Sequence, residues 1–324
     1  MIKYMKGKRV TEKYMDIIIG ITAGVLLILL CTSYIMFRKL FRGVKGVIEN
    51  PLWGLDGDDE IKVKRRGKIE PSMKIPSESL TITTRDGTAL HGNYYHTRVG
   101  APLAIFFHGY RSIGVRDFCA LIPTLINLGY NLIVTDHRAH RKSFGKIISF
   151  GVRERLDVVD WCKFAEEKFG TETKIILVGM SMGASSVIMA SQLDLPKNVS
   201  GIIADCPFSS PEEIIRKILR DRKLSPCIFY PLIRLGAIIF GGFDPSSASA
   251  TQAAANTKIP ILIIHGDDDR LVPVEMSEKI AQNGNTVRLV KVKNATHCTA
   301  FFFDEKLYIS SVGSFLSKVT DTPT

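Results

Sequence analysis

The sequence predicts an α/β protein built on a mostly parallel β-sheet with helices on both of its faces. Short apolar runs recur along the chain, and helical patterns such as those of residues 118–128 and 153–169 lie between most of them. Strands that are buried on both faces are apolar throughout, so apolar runs that alternate with helices favour a parallel sheet. The predicted strands are residues 80–84, 89–95, 103–107, 131–135, 174–178, 201–204, 260–264 and 287–292.

The first two predicted strands, 80–84 and 89–95, are joined through Asp86-Gly87, a dipeptide that favours a tight turn. They predict a hairpin at the start of the sheet. We therefore expect one folded domain over residues 76–318 of the 324-residue chain.

Residues 17–37 form an apolar segment of 21 residues without a charge. A helix of about 20 apolar residues spans the hydrocarbon core of a bilayer. A cleaved signal peptide has a shorter apolar core followed by a small-residue cleavage site, whereas Arg38 and Lys39 follow this segment at once. The sequence therefore predicts a retained, single-pass transmembrane helix in the cell membrane. A signal peptide or a buried core helix are the alternatives.

The positive net charge of +11 is concentrated near that segment, because residues 1–80 carry 15 Lys and Arg against nine Asp and Glu. This distribution favours a membrane surface over nucleic acid as a partner. Residues 1–16 are predicted as a basic tail, and residues 38–75 as a linker or membrane-surface collar. Five basic residues precede the apolar segment and four follow it closely. This small difference favours a folded domain outside the cytoplasm.

Side chains that can carry chemistry stand where the predicted strands end. In α/β sheets, sites form at the carboxyl ends of the strands, so we expect these residues to gather at one edge. They are His108, Asp136, Ser181, Asp205, Asp267, Asp268, Asp269 and His297.

Ser181 is the centre of a Gly-x-Ser-x-Gly motif that lies between a predicted strand and a predicted helix. Gly179 and Gly183 leave room where a strand turns sharply into a helix, and such a turn lifts the serine above the sheet. The helix N-terminus favours negative charge that develops beside the serine. The motif alone also fits a serine that caps a helix, but the strand before it and the helix after it favour a nucleophile.

A nucleophilic serine needs a base, and the base needs a carboxylate that orients it. Around a strand–turn–helix nucleophile these residues follow the order Ser, Asp or Glu, His. Of the seven histidines, only His297 lies beyond the acidic cluster 267–269, so it is the predicted base. The residues themselves leave the three aspartates of that cluster open as the acid. His108 and His265 each precede a glycine at a strand end and are expected to be structural.

The chain resembles the α/β-hydrolases, in the group of serine hydrolases that includes carboxylesterases, cinnamoyl esterase-like proteins and the serine aminopeptidase-like branch. The resemblance implies an α/β-hydrolase fold with a mostly parallel sheet, helices on both faces and a small helical cap. The matching motifs are His108-Gly109, DHRAHRKSFG at 136–145, FGVRERLDV at 150–158, GMSMG at 179–183, DCPF at 205–208, HGDDDRLVP at 265–273 and ATH at 295–297.

The resemblance also implies roles for single residues. Its His-Gly-x-x-Asp-x-x-Val-Pro motif places the acid at Asp269, makes the two preceding aspartates turn residues and leaves Asp205 as a minor alternative acid. It implies an oxyanion hole formed by the backbone N–H groups of Tyr110 and Met182. Arg141 departs from the pattern, because relatives usually have glycine there. This departure puts the shape of that loop in question and leaves the predicted triad unaffected.

Residues 207–256 form an insertion that is expected to cap the site. It begins with a charged amphipathic stretch, 212–222, and continues with an apolar stretch, 226–243, that only Arg234 interrupts. An apolar cap would suit an apolar acyl or aromatic group of the substrate. The alternative is that it packs on the core.

These observations predict a membrane-anchored serine hydrolase that cleaves an ester through an acyl-enzyme, with Ser181 as nucleophile, His297 as base and Asp269 as acid. A peptidase or amidase, an acyltransferase and a noncatalytic binding protein are the alternatives. The expected partners are a small ester or acyl substrate with an apolar group and, through residues 17–37, the lipid bilayer. No cofactor or metal is expected, since the six cysteines fit no zinc spacing.

Overall fold

Eight strands form a single sheet in the computed structural model, which describes residues 2–44, 50, 52 and 59–320, with side chains from residue 14 onward. The strand order is β1-β2-β4-β3-β5-β6-β7-β8. β1 pairs antiparallel with β2, and β2 antiparallel with β4, while the other pairs are parallel. The strands are β1 Glu78–Thr83, β2 Ala89–Tyr95, β3 Leu103–Phe107, β4 Asn131–Thr135, β5 Ile175–Met180, β6 Val199–Asp205, β7 Ile261–Gly266 and β8 Val287–Val292.

Helices cover both faces of this sheet, and a hydrophobic cluster lies on each face. The central strands β3 to β7 are buried along their whole length except Ser200, as their apolar sequences predict. The mostly parallel α/β fold is therefore confirmed. The helices are α1 Ile2–Phe41, α2 Glu60–Met73, α3 Gly114–Asp117, α4 Leu121–Asn127, α5 Glu154–Phe169, α6 Met182–Ala190, α7 Pro211–Asp221, α8 Pro226–Gly236, α9 Ala250–Asn256, α10 Val274–Asn283, α11 Ala300–Phe303 and α12 Glu305–Thr320.

The N-terminal helix α1 divides into a free part and a docked part. Its residues 14–31 are exposed along their whole length, whereas Ser33, Phe37 and Phe41 are buried against the domain. The stretch Tyr14–Phe41 is long and apolar enough to cross a membrane. An apolar helix at this position fits a membrane anchor or a signal sequence.

Part of the predicted linker 38–75 is instead a helix, α2. Asp59 caps it by accepting a hydrogen bond from the backbone N–H of Lys62 at 3.0 Å. Ile69 is fully buried, and the Ser72 hydroxyl donates to the carbonyl of Cys119 at 2.7 Å. Residues 60–73 of the predicted linker or collar are therefore helical and contact the domain. No sequence pattern marks this helix, because charged residues cover its other faces and only a short side is buried. Residues 45–49, 51 and 53–58 of that prediction lie outside the described residues.

The predicted cap consists of α7, α8, a π-helical segment Ala237–Gly241 and α9. Its apolar stretch packs against α1, where a Cβ on Gly236 would lie 2.5 Å from the Ser33 carbonyl oxygen. The aromatic rings of Phe41 and Phe243 meet edge to face with centroids 5.1 Å apart. The cap therefore joins the N-terminal helix to the domain.

Candidate active site

Ser181 stands at the turn between β5 and α6 in a backbone conformation that side chains rarely adopt, with φ of 52° and ψ of −112°. The two flanking glycines make this turn possible. A Cβ on Gly179 would lie 2.5 Å from the backbone of Ala184, and one on Gly183 would lie 1.8 Å from the Phe107 carbonyl oxygen. Although Ser181 occupies the N-cap position of α6, its side chain makes no capping hydrogen bond. The alternative of a capping serine is therefore wrong.

The Ser181 hydroxyl faces the imidazole of His297 instead, and the predicted residues come together. Its Oγ lies 3.0 Å from His297 Nε2, and His297 Nδ1 lies 2.6 Å from Asp269 Oδ2. A carboxylate can only accept, so the Nδ1–H donates to Asp269 and Nε2 is free to accept from the serine. This arrangement can move a proton from the serine to the imidazole as the hydroxyl attacks an electrophile.

The surroundings of Asp269 keep its carboxylate charged. Burial disfavours the charge, but hydrogen bonds from His265 Nε2 at 3.2 Å and from His297 outweigh that effect and hold the pKa of Asp269 below its usual value. The backbone N–H groups of Leu271 and Val272 each donate to its Oδ1 at 2.9 Å. Asp269 therefore presents a fixed negative oxygen to the imidazole.

The charge of Asp269 also affects the base. Burial lowers the pKa of His297, whereas the Cys298 sulfur and the Asp269 carboxylate raise it, and the balance leaves it well above the ordinary value of 6.5. The imidazolium that forms during proton transfer is thus stabilised where it is needed.

The other carboxylates considered as the acid lie elsewhere. Asp267 accepts from the backbone N–H of Asn294 at 2.6 Å, and Asp268 pairs at the surface with Arg270. Asp205 accepts from the Tyr308 hydroxyl at 2.9 Å, and burial raises its pKa to about 7. None of the three has a hydrogen bond to His297 among the described residues.

The loop after β3 is held by groups that the sequence did not single out. The backbone N–H of Gly109 donates to Asp117 at 2.7 Å, and the N–H of Arg111, at a φ of 53°, donates to His140 Nε2 at 3.1 Å. Asp117 and His140 therefore set the path of Tyr110, which lies between them. The only sequence signal for the role of these two residues is the position of His140 within the matching motif at 136–145.

The histidines around this loop are structural. His108 and His265 are fully buried, as expected. Burial lowers the pKa of His108 to about 3, and also that of His137 and His140, so all three are neutral. His108 Nε2 accepts from the backbone N–H of His137 at 3.1 Å. The His108 ring packs edge to face against the rings of His137 and His140, and so connects the loop after β3 to the loop after β4.

Tyr110 and Met182, whose backbone N–H groups are the expected oxyanion hole, both lie beside Ser181 at the cavity. Met182 is the first residue of α6, and the first N–H groups of a helix have no acceptor within it. Tyr110 lies three residues after β3 ends at Phe107. β3 pairs with β5 so that Phe107 is opposite Gly179, two residues before Ser181. Both residues line the cavity above Ser181.

A cavity of about 320 Å³ opens at Ser181. Its inner surface is apolar and its rim is charged. A site of this size, with an apolar lining and a few polar groups, is typical of small-ligand pockets. The lining residues are Lys39, Leu40, Tyr110, Arg111, Phe150, Ser181, Met182, Phe208, Ile214, Ile218, Asp221, Arg222, Leu271 and Val272.

The cavity is only partly what the sequence predicts. From the cap, α7 contributes Ile214 and Ile218, whereas the apolar stretch 226–243 contributes no lining residue. Instead, Lys39 and Leu40 at the end of α1 form part of the wall. Arg141, at the position where the resemblance implies glycine, has a φ of 39°, so the backbone there has a conformation that favours glycine.

A pair of free cysteines adjoins the site. The sulfurs of Cys206 and Cys298 are 3.5 Å apart, and both residues have a positive φ. Together with His297 they place three possible ligand atoms within 4.8 Å of one another. The His297 imidazole is already hydrogen-bonded to Asp269 and Ser181, so a metal ion bound there would compete with these two hydrogen bonds.

The comparisons with known proteins agree with this fold. A family model described as alpha/beta hydrolase fold matches residues 102–229, and one described as Phospholipase/Carboxylesterase matches residues 223–300. The chain has the α/β-hydrolase fold, and these two models together with its likeness to a solved esterase support a hydrolase activity.

Among the similar proteins are two from bacteria and one from an archaeon. The uncharacterized protein YqkD of Bacillus subtilis is 24% identical over 256 residues, which are 78% of this chain and 84% of YqkD. The Pyrococcus furiosus esterase Pf2001 has a TM-score of 0.61 and 26% identity, covering 77% of this chain and 93% of the esterase. Est1E of Butyrivibrio proteoclasticus, solved with ferulic acid bound, has a TM-score of 0.58 and 21% identity, covering 75% and 99%; its likeness shows the fold.

Proposed function

We propose that this protein is a membrane-anchored serine hydrolase that cleaves esters. The observation that carries the proposal is the continuous hydrogen-bonded series from Ser181 Oγ to His297 at 3.0 Å and from His297 to Asp269 at 2.6 Å. The strained serine and the apolar cavity around it support the same reading. The structural likeness to an esterase at 26% identity adds support for an ester as substrate.

In the proposed mechanism, Ser181 Oγ attacks the acyl carbon while His297 Nε2 takes its proton. The negative oxygen that forms is stabilised by the N–H groups of Tyr110 and Met182. When this tetrahedral intermediate collapses, the alcohol leaves with the proton from His297, and an acyl-serine remains. Water, activated by the same imidazole, then releases the acid. Asp269 fixes the imidazole tautomer and stabilises its charge throughout.

Turnover of a water-soluble ester such as p-nitrophenyl butyrate tests the catalytic proposal. Ser181→Ala and His297→Ala should each lower kcat by several orders of magnitude, as removal of a nucleophile or base does. Ser191→Ala is the matched control, since its hydroxyl only donates to the Ile188 carbonyl at the end of the same helix. Near-normal turnover by either active-site variant would exclude the mechanism.

The same site chemistry applies to amides, so the leaving group must be tested directly. The apolar lining of the cavity favours an acyl chain, and we therefore expect p-nitrophenyl esters to be cleaved faster than aminoacyl p-nitroanilides. Faster cleavage of the anilides would make the protein a peptidase or amidase. Transfer of the acyl group to an added alcohol, at the expense of free acid, would make it an acyltransferase.

Helix α1 is the proposed anchor, with the catalytic domain outside the cytoplasm. Its residues 17–31 are exposed and uncharged, and basic residues flank the apolar segment on both sides. The full chain should remain in the membrane after alkaline carbonate extraction, at its uncleaved length. Protease added to intact cells should then digest the domain; protection of the domain would reverse the proposed orientation.

A further inference from the structure

The end of the membrane helix is part of the candidate active site. The Tyr110 hydroxyl donates to the carbonyl of Leu40 at 2.6 Å, and Arg111 donates to the carbonyls of Lys39 at 3.1 Å and Arg42 at 3.3 Å. The last carbonyls of a helix have no partner within it. Here the side chains of Tyr110 and Arg111, in the loop after β3, donate to these carbonyl groups. Helix α1 is therefore held against the loop that carries the proposed oxyanion donor Tyr110.

This connection places the cavity at the height of the lipid headgroups. The uncharged segment ends at Phe37, and Leu40 follows three residues later. At 1.5 Å per residue that is about 4.5 Å along the helix axis. The headgroup layer is about 5–8 Å thick on each side of the hydrocarbon core. With α1 in the bilayer, Leu40 and the cavity it lines lie within that layer.

The surface around α1 has the chemistry of a membrane interface. We call it the interfacial face. Exposed Phe144 lies there beside the basic side chains of Arg38, Arg42 and Lys146. The exposed Ile238 and Ile239 directly precede Phe240 of this face in the chain. Apolar and aromatic side chains interspersed with Lys and Arg are typical of residues at headgroup level. The residues of the interfacial face are Tyr34, Arg38, Arg42, Phe144, Lys146 and Phe240.

The cavity combines an apolar interior with a basic rim. Phe150, Phe208 and Val272 are buried in its wall. Three cations line it, Lys39, Arg111 and Arg222, against one carboxylate, Asp221. An acyl chain fits the interior, and an anionic headgroup fits the rim. At about 320 Å³ the cavity is at the small end of ligand sites, which favours one chain over two.

We propose that the substrate is a single-chain, anionic lipid ester of the membrane, and that Lys39 and Leu40 of the anchor helix help to select it. This proposal rests on the proposed ester hydrolysis at Ser181. The acyl carbon–oxygen bond of the lipid breaks as the acyl–Oγ bond forms, and the headgroup alcohol leaves with the proton from His297. Water then releases the fatty acid.

The test uses the full chain reconstituted in vesicles of a diether phosphatidylcholine, which contains no carboxylic ester that the enzyme could cleave. The substrates are monooleoyl phosphatidylglycerol, monooleoyl phosphatidylcholine and the soluble p-nitrophenyl butyrate. Release of oleate and of nitrophenol gives kcat/KM for each. We expect the anionic lipid to be cleaved about tenfold or more faster than the zwitterionic one, because three cations line the cavity against one carboxylate.

Two matched pairs of variants identify the role of α1. Leu40→Trp, which fills the cavity from the helix, should lower the ratio of anionic-lipid to butyrate turnover about tenfold, while Leu27→Trp on the free part of α1 should not. Lys39→Gln should lower the preference for the anionic lipid about fivefold, while Arg38→Gln, on the interfacial face, should not.

Each outcome is decisive. Equal turnover of the two lipids, or equal effects within both pairs of variants, overturns the substrate proposal. If p-nitrophenyl butyrate is still hydrolysed in that case, the proposed ester hydrolysis at Ser181 is unaffected. If wild-type protein cleaves neither lipid nor butyrate, the proposed function itself fails, and this proposal fails with it.

Discussion

Replacing Asp269 with asparagine exchanges one oxygen for an amide nitrogen and reverses a hydrogen bond in the site. In the native protein, Oδ1 accepts from the N–H groups of Leu271 and Val272, both at 2.9 Å, and Oδ2 faces His297 Nδ1 at 2.6 Å. The two backbone donors still require an acceptor, so the asparagine oxygen takes the Oδ1 position. Its NH₂ group must then face the imidazole.

An amide donor facing Nδ1 favours the imidazole tautomer with its proton on Nε2. That nitrogen is 3.0 Å from Ser181 Oγ and can then no longer accept the serine proton. A wrong tautomer of this kind lowers kcat by about 10⁴, which corresponds to about 5.5 kcal/mol of transition-state stabilisation. We expect a loss of that order for Asp269→Asn.

The assay is hydrolysis of p-nitrophenyl butyrate at pH 8 by the full chain, with Asp268→Asn as control. The Asp268 side chain is half exposed and pairs only with Arg270, so its variant should stay within about threefold of wild type. Activity of Asp269→Asn within tenfold of wild type, or a larger loss for Asp268→Asn, would show that Asp269 does not orient His297.

Because His297 must be neutral to act as base and its pKa is raised, kcat/KM should fall with decreasing pH from a midpoint above 6.5. Gly183→Ala should destabilise the fold by about 3 kcal/mol or more, since its Cβ would lie 1.8 Å from the Phe107 carbonyl oxygen; thermal unfolding measures this. Added Zn²⁺ should inhibit ester turnover by binding the sulfurs of Cys206 and Cys298, and a chelator should restore it.

A pH profile with its midpoint below 6.5 would contradict the raised pKa of His297. Gly67→Ala, in open space on α2, is the control for Gly183→Ala and should not destabilise the protein. Zinc inhibition that is equally strong in Cys298→Ala would place the metal elsewhere.

The strands and the serine turn could be predicted because each has a strong local cause. Apolar runs marked all eight strands to within about two residues at either end. The glycines at 179 and 183 marked the turn, because no other residue fits against the backbone of Ala184 and Phe107. The position of His297 after the last strand identified the only histidine that the chain order allows.

The acid could not be chosen from residue types alone. Three consecutive aspartates have the same chemistry, and only the path of the turn decides which of them points at His297. That path is fixed by the N–H groups of Leu271 and Val272 holding Asp269. The resemblance to the family supplied the position that the local sequence left open.

The docking of α1 on the domain could not be predicted for a different reason. Ser33, Phe37 and Phe41 recur every four residues and share one helix face, as docked residues do. They belong to a segment that is apolar on all faces, so no contrast in hydrophobicity marks the docked side. The contribution of Lys39 and Leu40 to the cavity follows from that docking and was missed with it.

The central claim is that Ser181 is the nucleophile, and a fluorophosphonate reagent tests it most directly. We predict one covalent adduct on the full chain, located by mass spectrometry on the peptide that contains Ser181, and no adduct on Ser181→Ala. Equal labelling of that variant, or an adduct on another serine, would show that Ser181 is not the nucleophile.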